Sequence, residues 1–211
     1  MPRKTLFFVL VSIIIASFAV MTFVSLRESA TMDELAHIPS GYSYLRYLDY
    51  RLNPEHPPLV KALSAIPLIF MGLRFPTDHP SWTNDVNGQW AAGNQCIYWS
   101  GNDADWIIFW ARLGPIILTL LLTTLIYIWA KELLGAWWGL LPTFLFAFSP
   151  TVLAHGHYVT TDIGAAFGIV LGTYFFIKYF FKPNGKNLIF AGLAFGVAQL
   201  MKFSVVMLIP Y

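Results

Sequence analysis

Thr5 to Leu26 runs for 22 residues without a charged side chain, directly after Arg3 and Lys4. At about 1.5 Å of helical rise per residue, that stretch is long enough to cross a hydrocarbon core of about 30 Å. A secretory signal is the competing reading, but signal apolar regions run to only about 7–15 residues. The stretch therefore reads as an uncleaved anchor. Composition agrees along the whole chain: 57% of its 211 residues are hydrophobic, 17% aromatic and 11% charged, where a soluble globular protein carries roughly 25% charged residues. So few charges cannot cover a water-facing surface, and so many aromatic residues exclude disorder. The single cysteine, Cys96, rules out an intrachain disulfide framework and a cysteine-based zinc site. The expected fold is all-α, a polytopic bundle of transmembrane helices.

Five spans are expected, at residues 5–26, 106–129, 133–148, 163–181 and 188–211. The apolar stretch Leu59–Leu73 has 15 residues and contains Lys61 and Pro67, so it reads as interfacial or re-entrant. Basic residues near the spans set orientation. Arg3, Lys4, Lys131, Lys178, Lys182 and Lys186 fall on one side if the amino terminus is cytoplasmic, in a plasma or inner membrane. The long loop 27–105 is then extracytoplasmic. It holds nine of the eleven acids against five basic residues, a net −4 that leaves +6 for the rest. A fifth span ending at Pro210–Tyr211 with no tail predicts that 1–211 is the amino-terminal portion of one longer membrane domain. Gly164, Gly168 and Gly172, Gly192 and Gly196, and Gly135 and Gly139 recur at spacings that suit close helix packing in lipid.

Loop 27–105 is too long and too apolar for a connector. Its first part, Thr31–Tyr50, sets Leu35, Ile38, Tyr42, Leu45 and Leu48 at helical spacing, as in a helix lying on the membrane surface with its tyrosines at headgroup depth and Pro39 in the first turn. Asp33 and Glu34 open that helix. Thr31 and Glu34 match a capping box, the structural alternative to a chemical role. In Asn53-Pro-Glu-His-Pro-Pro-Leu59, three prolines stiffen the backbone that presents Glu55 and His56, as a metal or phosphate site requires and as a plain rigid turn would also show. The loop Ser149–Asp162 adds His155 and His157, whose alternate spacing suits a metal only weakly. Asp162 serves equally as a helix cap. Arg112 and Lys202 are ionisable groups inside expected spans, where such groups are usually functional. Arg112 can snorkel outward, whereas Lys202, about midway along its span, needs an anionic partner.

From span one to the end of the chain, the order and sidedness of Asp33-Glu34, Asn53-Pro-Glu-His-Pro-Pro-Leu59, Ser149-Pro followed by Thr161-Asp162, and Met201-Lys-Phe-Ser204 resemble the membrane glycosyltransferases of the GT-C fold. These enzymes take sugar from a polyprenyl-phosphate carrier. The closest likeness is to the protein O-mannosyltransferase and aminoarabinose-transferase branch, the phospholipid carrier-dependent glycosyltransferases. The resemblance implies transfer of a hexose, of mannosyl type, to a lipid, glycan or protein hydroxyl at the extracytoplasmic face, with inversion. Asp33 would be the general base, with Glu34 beside it a second catalytic candidate, and Glu55 would bind a divalent metal, for which His155 is a further candidate ligand from its own loop. Asp162 and Lys202 would stand near the site, and His56, Arg112 and His157 are further candidates for the donor phosphate and its pocket. Relatives often carry Lys where this chain has His56. The donor carries its own energy, so no nucleotide cofactor is expected, and no nucleic-acid partner. A transporter using Lys202 and Arg112 and a metal-dependent lipid-phosphate hydrolase are the rival readings, with a scaffold without chemistry as the third. The transporter would show an inverted repeat, which is not seen, and the hydrolase a His-Glu-x-x-His element, which is absent.

Overall fold

Residues 3–208 are described by a computed structural model, and every regular element among them is helical. Helix α1 (Arg3–Ser25) is followed by α2 (Met32–Tyr47), α3 (Leu59–Ile69), the short α4 (Pro80–Thr83), and α5 (Gln89–Asn94), which runs into a π-helical turn, Gln95–Trp99. The long α6 (Ala104–Leu134) leads to α7 (Leu140–Ala147) and α8 (Pro150–His155). The chain closes with α9 (Asp162–Phe181), α10 (Gly185–Met201) and a 3-10 turn, Phe203–Leu208. Three helices, α1, α6 and α9, are long and apolar enough to cross a membrane.

Helix α1 buries one narrow stripe, Ile13, Ser17, Met21 and Ser25, each one turn after the last. Phe7, Phe8, Ile15 and Phe23 stay exposed, as lipid-facing side chains do. Helix α6 is the central post. Asp103 caps it by accepting from the Trp106 N–H at 3.1 Å, and its 31 residues give about 46 Å of rise. It ends at Gly135, whose φ of 86° only glycine adopts without strain. Both ends of the expected first and fourth spans fall within two residues of α1 and α9.

The expected span 133–148 is not a single helix. Gly135 stops α6, and the ascent back toward the Asp33 end is made in two pieces, α7 and α8, broken at Ser149-Pro150. Gly139 packs on the Lys131 backbone and Gly156 on Thr119, so the pieces climb about 18 Å along α6. Much of the expected loop Ser149–Asp162 is therefore helix α8. The fifth expected span also ends early. Helix α10 stops at Met201, and Lys202 takes an extended conformation at the helix end, not mid-span. The positions 209–211, including the expected flush end at Tyr211, lie outside the described residues.

Helices α9 and α10 form an antiparallel hairpin. Asn184 accepts from the Asn187 N–H at 2.9 Å to start α10. A Cβ at Gly168 would lie 2.9 Å from the Ala198 Cα, so the glycine is what lets the two backbones meet. Gly164 makes room for the side chains of Val60 on α3 and Met201, and Gly172 for that of Leu208 in the 3-10 turn. Gly192 and Gly196 meet nothing within 4 Å, so the packing expected of them is not made among the described residues.

Between the end of α1 and the start of α6, the chain builds a cap with its own core. Ile38, Tyr42, Leu52, Leu68, Ile97, Ile107 and Val159 are all at or below 2% exposure. Full burial of each such aliphatic side chain is worth about 1.5–3 kcal/mol where the alternative is water. Helix α2 is therefore not a surface helix. Glu34 and the nine consecutive positions from Ala36 to Tyr44 are buried, because α3 and α5 cover it from both sides. Pro39 sits in its interior, since the Thr31 cap starts the helix earlier than the apolar stripe alone suggested. The expected interfacial or re-entrant stretch forms helix α3, too short to span, packed between α2 and α6. A Cβ at Gly41 would stand 2.0 Å from the Lys61 carbonyl oxygen, which sets how closely α2 and α3 approach.

Candidate functional site

The site is built around a buried ion pair. Arg112 of α6 donates from Nε to Glu34 Oε1 and from Nη2 to Glu34 Oε2, each at 2.8 Å, and neither side chain has any exposed surface. Its remaining donors reach the carbonyls of Ser25 at 3.2 Å, Glu28 at 3.1 Å and Ser29 at 2.9 Å. All five guanidinium N–H groups are thereby used. Glu34 also accepts from the N–H groups of Thr31 at 2.8 Å and Val159 at 3.0 Å. Burial works to raise the Glu34 pKa, but Arg112 and these N–H donors hold it below the usual carboxylate range. The pair joins the end of α1, the start of α2, α6 and the segment after α8. Arg112 therefore does not snorkel, and it has no donor left for a phosphate. Glu34 closes its cap on Thr31 and has no oxygen free to serve as a catalytic acid.

Asp33 occupies the adjacent position and is exposed, with no hydrogen bond or ion pair among the described residues. One turn along the same face, buried His37 turns Nδ1 to the Val159 carbonyl at 2.7 Å, which assigns the proton to that nitrogen. The His37 ring meets the ring of His56 edge-on, centroids 5.4 Å apart.

His56 is the hub of the electrostatics. Burial lowers its pKa first, and the charges of Lys61 and Lys202 add to that, against Glu55 and Asp33. Residues from α2, the proline-rich loop, α3 and the end of α10 thus share one neighbourhood. A neutral imidazole offers a donor or an acceptor but no counter-charge, so the charge here falls to Lys202. Its Nζ lies 2.6 Å from Asp162 Oδ1, with 28% and 58% of the two side chains exposed. Asp162 opens α9 immediately after Thr161, which occupies the cap position.

Glu55 has both oxygens occupied by amides: Gln89 donates to Oε1 and Asn87 to Oε2. Burial raises its pKa, but these donors and the loop backbone together lower it. His155 ends α8 and packs near Tyr158. No group of three His, Cys, Asp or Glu side chains is placed to hold a metal among the described residues. Glu55 stands on the proline-rich loop with its oxygens turned to Asn87 and Gln89, and the other expected metal ligand, His155, stands at the end of α8. His157 also departs from its expected place by the donor. It is buried, with Nδ1 at 2.8 Å from the Leu153 carbonyl and Nε2 at 3.0 Å from Glu28. Tyr158 donates to the same Glu28 oxygen at 2.9 Å.

Lys61 is the one charge in the apolar stretch Leu59–Leu73. It proves wholly buried, with Nζ 2.8 Å from Tyr44 Oη, from both oxygens of Asn53 and from the His56 carbonyl. Burial pulls its pKa down to about 7. The signal for it was present, a lysine between Val60 and Ala62 just after the proline-rich motif. Asn87 and Gln89 gave no sequence signal.

Beside His56, a groove of about 300 Å³ runs between Tyr44, Tyr50, Pro57, Pro58, Leu200 and Phe203. A second, about 310 Å³, lies between α8 and α9 with His155 and Asp162 on its wall. Larger cavities occur, but at the opposite end of the bundle, near Glu132 and Lys178 or Arg3 and Lys131, away from this chemistry. The polar residues that matter therefore border open grooves instead of lining a closed chamber.

No curated protein and no solved structure matches the chain. The family described as dolichyl-phosphate-mannose-protein mannosyltransferase matches residues 105–211. That range carries Arg112, His155, His157, Asp162 and Lys202, and its residues Arg112 and Val159 are the partners that hold Glu34 beside Asp33. A helical membrane bundle of this build, matched over half its length, belongs to the dolichyl-phosphate-mannose-protein mannosyltransferase family of glycosyltransferases.

Proposed function

We propose that the protein transfers a hexose, of mannosyl type, from a polyprenyl-phosphate donor to an acceptor hydroxyl at the extracytoplasmic face, with inversion at the anomeric carbon. The observation that carries the reading is the contrast between neighbours on α2. Glu34 is locked by Arg112, while Asp33, one residue away on the same rigid turn, is exposed and without a partner. A base must be held still and yet be open to substrate.

In this mechanism Asp33 takes the proton of the acceptor hydroxyl as its oxygen attacks the anomeric carbon. The bond from that carbon to the phosphate oxygen breaks, and the electron pair leaves with the lipid phosphate. Lys202 stabilises the charge developing there, exchanging its contact with Asp162 for the phosphate, and His56 contributes an N–H donor. The grooves beside His56 and between α8 and α9 are apolar enough to take the first isoprene units. Sidedness is supported by the distribution of charge: the Asp33 end carries the acidic cap, and the other end carries Lys131, Lys178, Lys182 and Lys186. The acceptor is a lipid, glycan or protein hydroxyl.

The test is hexose transfer by the protein in membrane vesicles supplied with polyprenyl-phosphate-linked hexoses, comparing wild type with Asp33→Asn. Loss of transfer by about 100-fold or more is expected. An unchanged rate in Asp33→Asn would remove Asp33 as the base.

A further inference from the structure

Arg112 and Lys61 are the two largest side chains with no exposure. Arg112 has a carboxylate. Lys61 has only neutral oxygens around its ammonium, three N–H donors facing four acceptors, and such a group is costly to bury without an anion. Its bonds lead to an anion by relay. Because the ammonium only donates, Asn53 must turn Oδ1 toward it. That leaves Asn53 Nδ2 for Gln89 Oε1, at 2.5 Å. Gln89 then has only Nε2 remaining, which donates to Glu55 Oε1. Asn87 braces the relay, accepting from the Asn53 N–H at 3.1 Å and donating to Glu55 Oε2 at 3.3 Å. The polarity of the ammonium thus passes through two amides, neither free to flip, and ends on the carboxylate. The same ammonium holds the His56 carbonyl at 2.8 Å. Asn53 itself has φ of 50°, a left-handed conformation that asparagine tolerates and that aims its carbonyl and side chain at Lys61 together.

We propose that Lys61 is a positioning residue for sugar transfer, setting the Glu55 carboxylate through Asn53 and Gln89 and the His56 ring through its main chain. This role rests on the glycosyl-transfer reading above. Lys61 has no exposed atom with which to touch donor or acceptor, so its whole effect passes through the residues it orients.

The relay has a direction, and isosteric substitutions test it. Asn53→Asp keeps an acceptor for Lys61 and removes the Nδ2 donor. Gln89 must then turn its amide and present an oxygen to Glu55. Gln89→Glu sets a carboxylate there outright. Wild type, Asn53→Asp, Gln89→Glu and Lys61→Met are compared in membrane vesicles with polyprenyl-phosphate-linked hexose, each also measured for Tm after extraction. In both isosteric variants kcat is expected to fall about 10- to 100-fold at temperatures well below their Tm, where the protein stays folded, with donor KM changing less. A purely structural network would instead lose activity only in step with Tm. Wild-type kcat in folded Asn53→Asp and Gln89→Glu overturns the role of Lys61 and leaves the transfer reading standing. A wild type that transfers no hexose overturns both. Where Lys61→Met does not fold, the two amide variants decide the matter.

Discussion

Arg112 and Glu34, 78 residues apart in sequence, meet through two parallel hydrogen bonds of 2.8 Å with no exposed surface on either side chain. Removing one partner leaves the other charge buried and unpaired. Arg112→Leu is expected to lower stability by about 3–5 kcal/mol, read as Tm in detergent. The double variant Arg112→Leu with Glu34→Leu should recover a large part of that loss.

The same pair gives the protein an acid limit. The folded-state pKa of Glu34 is depressed, so its contribution is present above the unfolded value of about 4.3. It is lost as pH falls through the lower folded value. Tm plotted against pH should drop below about pH 4.3 in wild type. Glu34→Gln should start lower and show a shallower acid limb.

Asp33 and Glu34 should separate function from stability. Asp33 is exposed and unpartnered, so Asp33→Asn should move stability by less than about 0.5 kcal/mol while abolishing transfer. Glu34→Gln should lower Tm whatever it does to rate. Equal effects on Tm from the two would contradict the division of labour drawn between them.

Lys61 titrates against its own burial. Its pKa is about 7 in the fold and about 10.4 in an unfolded chain. Between those values the unfolded chain binds more protons, so stability rises with pH. The groups facing Lys61 are Tyr44 and His37 on α2 and Glu55 and His56 on the loop. The Tm difference between wild type and Lys61→Met should climb from pH 7 to pH 10. Transfer by wild type should weaken over the same range as the relay loses its ammonium.

The close contact at Gly41 predicts a contrast with Gly192. A methyl group at Gly41 would run into the Lys61 carbonyl, so Gly41→Ala should destabilise strongly and disturb the relay. Gly192 faces open space, and Gly192→Ala should stabilise α10 by up to about 1 kcal/mol. Equal Tm values for the two variants would show that α2 and α3 are not in the contact described.

Local patterns made much of this legible. The uncharged stretch from Thr5 gave α1, and the span expected at 163–181 is α9 within one residue, because continuous apolar helices depend little on distant neighbours. The Thr31–Glu34 cap was readable too, since it is closed within four residues. Its partner Arg112 was not, because a pair 78 residues apart leaves no spacing in the sequence. The third expected span, 133–148, is broken at Gly135 and the turn after it, where hydropathy alone is continuous. The apolar stripe of α2 gave one buried face. Its other faces are covered by α3 and α5, which a single-helix pattern cannot foresee. Lys61 was visible as a residue and silent as a site, because its neutral acceptors come from two other segments, α2 and the proline-rich loop.

The break at Ser149-Pro150 has a mechanical consequence. A continuous helix resists bending along its whole length, whereas two short rods meeting at a proline bend at one joint. The joint at Ser149-Pro150 therefore concentrates bending between α7 and α8, while Thr119 of α6 donates to the Gly156 carbonyl at 2.8 Å and keeps the far end of α8 against the central post.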